Sequence, residues 1–174
     1  FVLTALFTGG FGNFLIPLQI GARDMAFPLL NMLSYWIYLL SCLVVLLAFF
    51  VEGGAPISGW TAYPPLSAIP AAGPGQSLGQ TVWIVAIALF IVSTMLGVLN
   101  YLTTVLQLRT RGLSMMRLPL TIWGLFASSI ISLFVFPVLL GAGVLLLADR
   151  LLGTSFFVPD GLVFGETLIS HSGG

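Results

Sequence analysis

Residues 81–108 read TVWIVAIALFIVSTMLGVLNYLTTVLQL, an apolar run without a single Asp, Glu, Lys or Arg. A helix rises 1.5 Å per residue, so about 20 apolar residues cross the hydrocarbon core of a bilayer. This run exceeds that length and is read as a transmembrane helix. Working outward, the same pattern recurs over residues 1–22, 25–51 and 118–148, each free of ionisable Asp, Glu, Lys and Arg. The whole chain is 59% hydrophobic and 6% charged, against roughly 25% charged in a soluble domain. The fold class that follows is all-α: a polytopic transmembrane bundle of about four spans, three complete and one truncated at its start. Residues 1–174 are read as one membrane domain with no internal boundary. The chain begins inside an apolar segment and stops in HSGG, so it is expected to be an internal piece of a longer protein. Without a basic region ahead of the first span, a signal peptide is a poor account of that beginning.

The charges set an expected orientation. Arg23, Arg109, Arg111 and Arg117 fall in the first and third connections, which an up-down order puts on one side of the membrane. Glu52, Asp149, Asp160 and Glu166 lie in the other connections, with Arg150 as the basic residue among them. Short loops rich in Lys or Arg stay inside, so the first and third connections should face the cytoplasm, or the matrix of a mitochondrion. Net charge is zero and no basic stripe exists, which leaves nucleic-acid binding without support. Cys42 is the single cysteine, so no internal disulfide can form, and packing is its expected role. Pro17 and Gly21 should end the first span, Pro28 should open the second at a position where its missing N–H costs nothing, and Pro137 should kink the fourth.

Polar residues inside the spans are not scattered. Asn31, Ser34, Tyr35 and Tyr38 follow i, i+3, i+4, i+7 spacing and share one helix face. Ser93 and Asn100 are seven apart on the next long span, with Thr94, Thr103 and Thr104 adjoining. In hydrocarbon such groups turn toward neighbouring helices or a wet path. Two readings fit: hydrogen bonds between helices, or the lining of a proton path. Asp24 bears on the choice, because a carboxylate at the mouth of an Asn/Ser/Thr stripe can collect protons, and Asn13 precedes it while Asn31 follows. A solvated Asp24 paired with Arg23 is the competing account. In the loop of residues 52–80, Trp60 and Tyr63 read as an interfacial aromatic belt. No phosphate-binding loop, nucleophile–base pair or metal-ligand spacing occurs, and the lone His171 reads as a solvated tail residue.

The stretches GGFGNFLIPLQIGARDMAFPLLNMLSYW, GWTAYPPLS, LGVLNYLTT, MRLPLTIWG, FPVLLGAG and DRLLGTSFF occur in that order. Together they resemble subunit I of the haem-copper terminal oxidases, above all bacterial cytochrome c oxidase, over essentially the whole chain. The resemblance implies that the spans here are helices two to five of a twelve-helix subunit of the bacterial inner membrane. It implies an enzyme that reduces oxygen to water and pumps protons, with two haems and copper as cofactors. Their histidine ligands would lie outside these residues, so this piece alone should be inactive, and no metal role passes to His171. Implied partners are the other oxidase subunits, notably subunit II, cytochrome c as electron donor, lipid, oxygen and protons.

By the same resemblance Asp24 is a proton collector, Asn13 and Asn31 order water at the entrance, and Ser34, Ser93, Thr94 and Asn100 line the path beyond. Trp60 and Tyr63 match a loop near the high-spin haem. The chain departs from the family pattern at Arg23, where many members have Pro, and at Met32, where many have Asn. QIGARD also resembles quinol oxidases of the same superfamily. A polytopic transporter or a membrane scaffold is the reading from another class. The arginine asymmetry makes a test of orientation: in a Cys42→Ala background, a cysteine placed between Arg109 and Arg117 of the full-length parent should react with an impermeant thiol probe from the cytoplasmic side only.

Overall fold

A computed structural model of the chain describes residues 2–164 and 167–169. Four helices are long and apolar enough to cross a membrane: Val2–Ile20, Pro28–Leu47, Leu78–Gln107 and Leu120–Leu152. The chain is a multi-pass membrane protein. The first span, expected to be cut short, runs 19 residues and consists of α1 (Val2–Thr4), a π-helical segment (Ala5–Gly12) and α2 (Asn13–Ile20). The others are α3 (Pro28–Leu47), α4 (Leu78–Gln107) and α5 (Leu120–Leu152). Beyond the helices, β1 (Leu162–Phe164) and β2 (Thr167–Ile169) pair antiparallel, with Val163 opposite Leu168. This small hairpin was not foreseen, and the helical fold class stands.

Helix ends follow local chemistry. Gly21 adopts φ 73°, a left-handed conformation that closes α2, and its N–H bonds the Pro17 carbonyl. The Ala22 N–H bonds the same carbonyl at 2.9 Å, giving the paired bonds of a glycine C-cap. Proline at the start of α3 loses no helical bond there. α3 stops at Leu47, ahead of the expected Val51, because Ala48, Phe49 and Phe50 each bond three residues back and tighten the last turn. α5 continues through Pro137 and extends past the charge-free run, taking Asp149 and Arg150 into its last turn.

The chain forms two compact units. One comprises Phe1–Leu39 with Leu89–Val138, the other Leu40–Ala88 with Leu139–Gly174. In the first, Ile16, Ile20, Met25, Tyr101, Val105, Leu118, Ile122 and Phe126 form the core. In the second, Ala68, Ile69, Ile84, Leu146 and Val158 do so. Lipid is as apolar as leucine, so helices associate through close packing and hydrogen bonds rather than through escape from water. Both devices occur here. The Ser93 hydroxyl donates to the Ser34 carbonyl at 2.6 Å in the first unit, and the Ser41 hydroxyl donates to the Ala86 carbonyl at 2.7 Å in the second. Gly12 lies against the Tyr101 ring so closely that a Cβ would sit 2.6 Å from the phenol oxygen and 2.9 Å from two ring carbons.

That contact makes a prediction. Gly12→Ala must push the buried Tyr101 ring aside and should destabilise the full-length subunit by about 1–3 kcal/mol, the usual cost of overpacking. A lowered thermal midpoint in detergent would register it.

Candidate functional site

Within the first unit a cavity of about 840 Å³ is lined by residues of the first span, α3, α4 and α5. Of the residues expected to form a proton path, Asn13, Asp24, Asn31, Ser34, Ser93 and Thr94 all line it. Asn100 does not. Liquid water occupies roughly 30 Å³ per molecule, so the space is large enough for a file of water molecules.

Each wall residue is positioned by its local backbone. Asp24 is exposed in the turn between α2 and α3, and its Oδ1 accepts the Met25 N–H at 2.7 Å. No hydrogen bond or ion pair joins Asp24 to Arg23 among the described residues, and both are exposed. Asn13 opens α2 directly after the π-helical segment, and its Nδ2 donates to the Gly9 carbonyl at 2.6 Å. Its Oδ1 is buried with no hydrogen-bond partner among the described residues, which leaves an acceptor ready for a donor from the cavity.

The hydroxyls share one property. Ser34 donates to the Asn31 carbonyl at 2.8 Å, Ser93 to the Ser34 carbonyl at 2.6 Å and Thr94 to the Phe90 carbonyl at 2.8 Å. A carbonyl can only accept, so each hydroxyl proton is committed to the backbone and the oxygen lone pairs remain for the cavity. At these three positions the wall thus presents acceptors, which suit water molecules that donate to it.

Asn100, fully buried, meets different partners. Its Oδ1 accepts the Phe27 N–H at 2.8 Å and its Nδ2 donates to the Phe27 carbonyl at 3.3 Å. Both halves of the amide are engaged by one backbone residue. Sequence reasoning also missed cavity residues: Tyr101, whose phenol donates to the Thr8 carbonyl, and Ser128, Ser129 and Ser132 of α5. Ser128 and Ser132 are four apart and share a helix face, a spacing that was legible. A few serines on an apolar helix look the same whether they bond their own backbone or face a cavity.

In the second unit Trp60 and Tyr63 are 86% and 72% exposed. Their loop is built from beneath. The Ser67 hydroxyl donates to the Ala62 carbonyl at 2.6 Å. Buried Gln76, with its amide oriented to satisfy its surroundings, donates to the Leu66 carbonyl and accepts the Ile57 and Ser58 N–H groups at 3.0 Å each. Arg150, 9% exposed, donates to the carbonyls of Ser67 (2.5 Å), Gln76 and Ser77 (2.5 Å) and to Thr81 Oγ1 (3.2 Å). Asp149, 2% exposed, accepts the Thr154 hydroxyl at 2.6 Å and the N–H groups of Phe156 and Phe157 at 3.0 and 2.6 Å. The sequence reading left these two ions in a loop; each instead fastens a different segment to the end of α5.

A family model described as "Cytochrome C and Quinol oxidase polypeptide I" matches residues 1–171. The chain belongs to this family. It is 55% identical over its full length to an "Alternative cytochrome c oxidase subunit 1" of Bradyrhizobium diazoefficiens, of which it covers 29%. It is 48% identical to a "Heme-copper oxidase subunit I+III" of Aeropyrum pernix, with 95% of this chain and 20% of that protein aligned. A "Cytochrome c oxidase subunit 1" of Thermostichus vulcanus is 45% identical over 87% of this chain and 26% of its own length. The chain therefore spans under a third of these relatives.

Haem and copper are implied by the haem-copper family. Among the described residues no group of three His, Cys, Asp or Glu could hold a metal, and His171 lies outside the described residues. The described side chains do not fit as the ligand set for those groups.

The arginine latch gives a prediction that is independent of catalysis. Arg150→Met leaves three loop carbonyls without their charged donor and should cost roughly 3 kcal/mol or more, since each buried unpaired group costs about 1–3 kcal/mol. Arg150→Lys should recover only part, because an ammonium lacks the planar fork. Faster proteolysis of residues 53–77 in oriented vesicles would report both.

Proposed function

We propose that this chain is the proton-uptake portion of the catalytic subunit of an oxidase that reduces oxygen to water and pumps protons. The observation that carries the reading is the gathering of Asp24, Asn13, Asn31, Ser34, Ser93 and Thr94 on one cavity. Asp24 takes a proton from the cytoplasmic side at the exposed turn. Asn13, with a free buried acceptor, and Asn31 orient water just inside. The acceptor oxygens of Ser34, Ser93 and Thr94 hold the file beyond them, each fixing a water by receiving its hydrogen bond. Proton transfer along such a file needs only short hops between neighbouring waters.

Membership of an oxidase family whose named relatives include cytochrome c oxidases supports cytochrome c as donor and other oxidase subunits, subunit II among them, as partners. The bacterial inner membrane is the proposed location, with the arginine-bearing connections cytoplasmic. Trp60 and Tyr63, presented outward on a loop pinned by Gln76 and Arg150, are proposed to contribute to the wall of the high-spin haem pocket. When bound, the haems and copper supply the redox chemistry; the residues here supply protons.

Asp24→Asn in the full-length parent enzyme tests the central role. The change keeps size and the acceptor for the Met25 N–H but removes the titrating group. Oxygen consumption and proton ejection in reconstituted vesicles should both fall at least tenfold, with haem content and spectrum unchanged. A solvated surface carboxylate is worth only about 0–1 kcal/mol, so unchanged turnover with unchanged ejection would return the cavity to a packing feature.

A further inference from the structure

We infer that Asn100 and Thr104 are positioning residues that latch the turn carrying Asp24 to α4. The residues at i and i+4 share one face of α4, both are fully buried, and neither lines the cavity. Thr104 Oγ1 accepts the Ala26 N–H at 2.9 Å and donates to the Asn100 carbonyl at 2.6 Å. Asn100 engages both the N–H and the carbonyl of Phe27.

The turn has no ladder of its own. Between the end of α2 at Ile20 and the start of α3 at Pro28, the amides of Met25, Ala26 and Phe27 find Asp24, Thr104 and Asn100 in turn. At the far end of the same segment the Ile20 carbonyl accepts both the Thr110 N–H at 3.0 Å and the Thr110 hydroxyl at 2.6 Å. The backbone on both sides of Asp24 is therefore held by side chains of α4 and the residues just after it. These bonds tie the turn to α4, so loosening the latch frees the carboxylate to move relative to the cavity mouth. Asn100 spends its oxygen and one of its two amide hydrogens on Phe27, so its side chain is tied to the backbone of the turn.

This inference rests on the proposed role of Asp24, and the experiment separates the two. In the full-length, haem-loaded enzyme, Thr104→Val removes the bond to Ala26 without touching the cavity wall. Thr104→Ser keeps the hydroxyl. Thr103→Val, whose hydroxyl bonds Leu99 within its own helix, is the matched control. Hydrogen exchange of the peptide covering residues 24–31 should accelerate roughly tenfold in Thr104→Val, as expected for one lost hydrogen bond, and proton uptake should slow severalfold. Thr104→Ser and Thr103→Val should retain both parent values. Unchanged exchange in Thr104→Val would overturn the latch. Accelerated exchange with unchanged uptake, in an enzyme where Asp24→Asn does slow uptake, would overturn the positioning role. If Asp24→Asn leaves uptake intact, the collector role fails, and with it the functional half of the inference, while the exchange result still decides the latch.

Discussion

A backbone amide within the hydrocarbon of a bilayer has no water to fall back on, and the organisation of the first unit begins from that constraint. The helices satisfy their own backbones. The turn between α2 and α3 does not, and it receives its partners from Asn100, Thr104 and Thr110. Polar residues that look alike in a hydropathy profile thereby separate into two jobs. Some complete the backbone of a neighbouring segment, and others, with their protons committed to carbonyls, leave lone pairs for a cavity. The second job depends on the first, because Asp24 stands at the cavity only while its turn is fixed.

The second unit applies the same logic with charges. Asp149 and Arg150 are adjacent, opposite and buried, yet each is bonded to uncharged groups of a different segment. Removing an ion from water costs several kcal/mol unless its hydrogen-bonding capacity is met. Three carbonyls and a hydroxyl meet that of Arg150, and two N–H groups and a hydroxyl meet that of Asp149. A guanidinium suits the task because its fork reaches several acceptors at once. The loop bearing Trp60 and Tyr63 consequently rests on buried polar contacts as well as on the apolar cluster around Ala68 and Ile69, and the two aromatics stay exposed.

The sequence by itself determined the helical class, the number of spans and their approximate limits, because a charge-free run of sufficient length admits no other stable arrangement in a membrane. It also carried the family resemblance and named Asp24, Asn13, Asn31, Ser34, Ser93 and Thr94, since their residue types and spacing survive in one dimension. The tertiary structure alone decided which polar groups share a cavity. Asn100 and Ser93 lie on one helix, seven residues apart, and only the position of Phe27 against α4 shows that the amide is engaged while the Ser93 oxygen remains available. Helix spacing fixes which residues share a face but not what that face meets. For the same reason Arg150 read as a loop charge until the carbonyls of Ser67, Gln76 and Ser77, remote in sequence, were found around it.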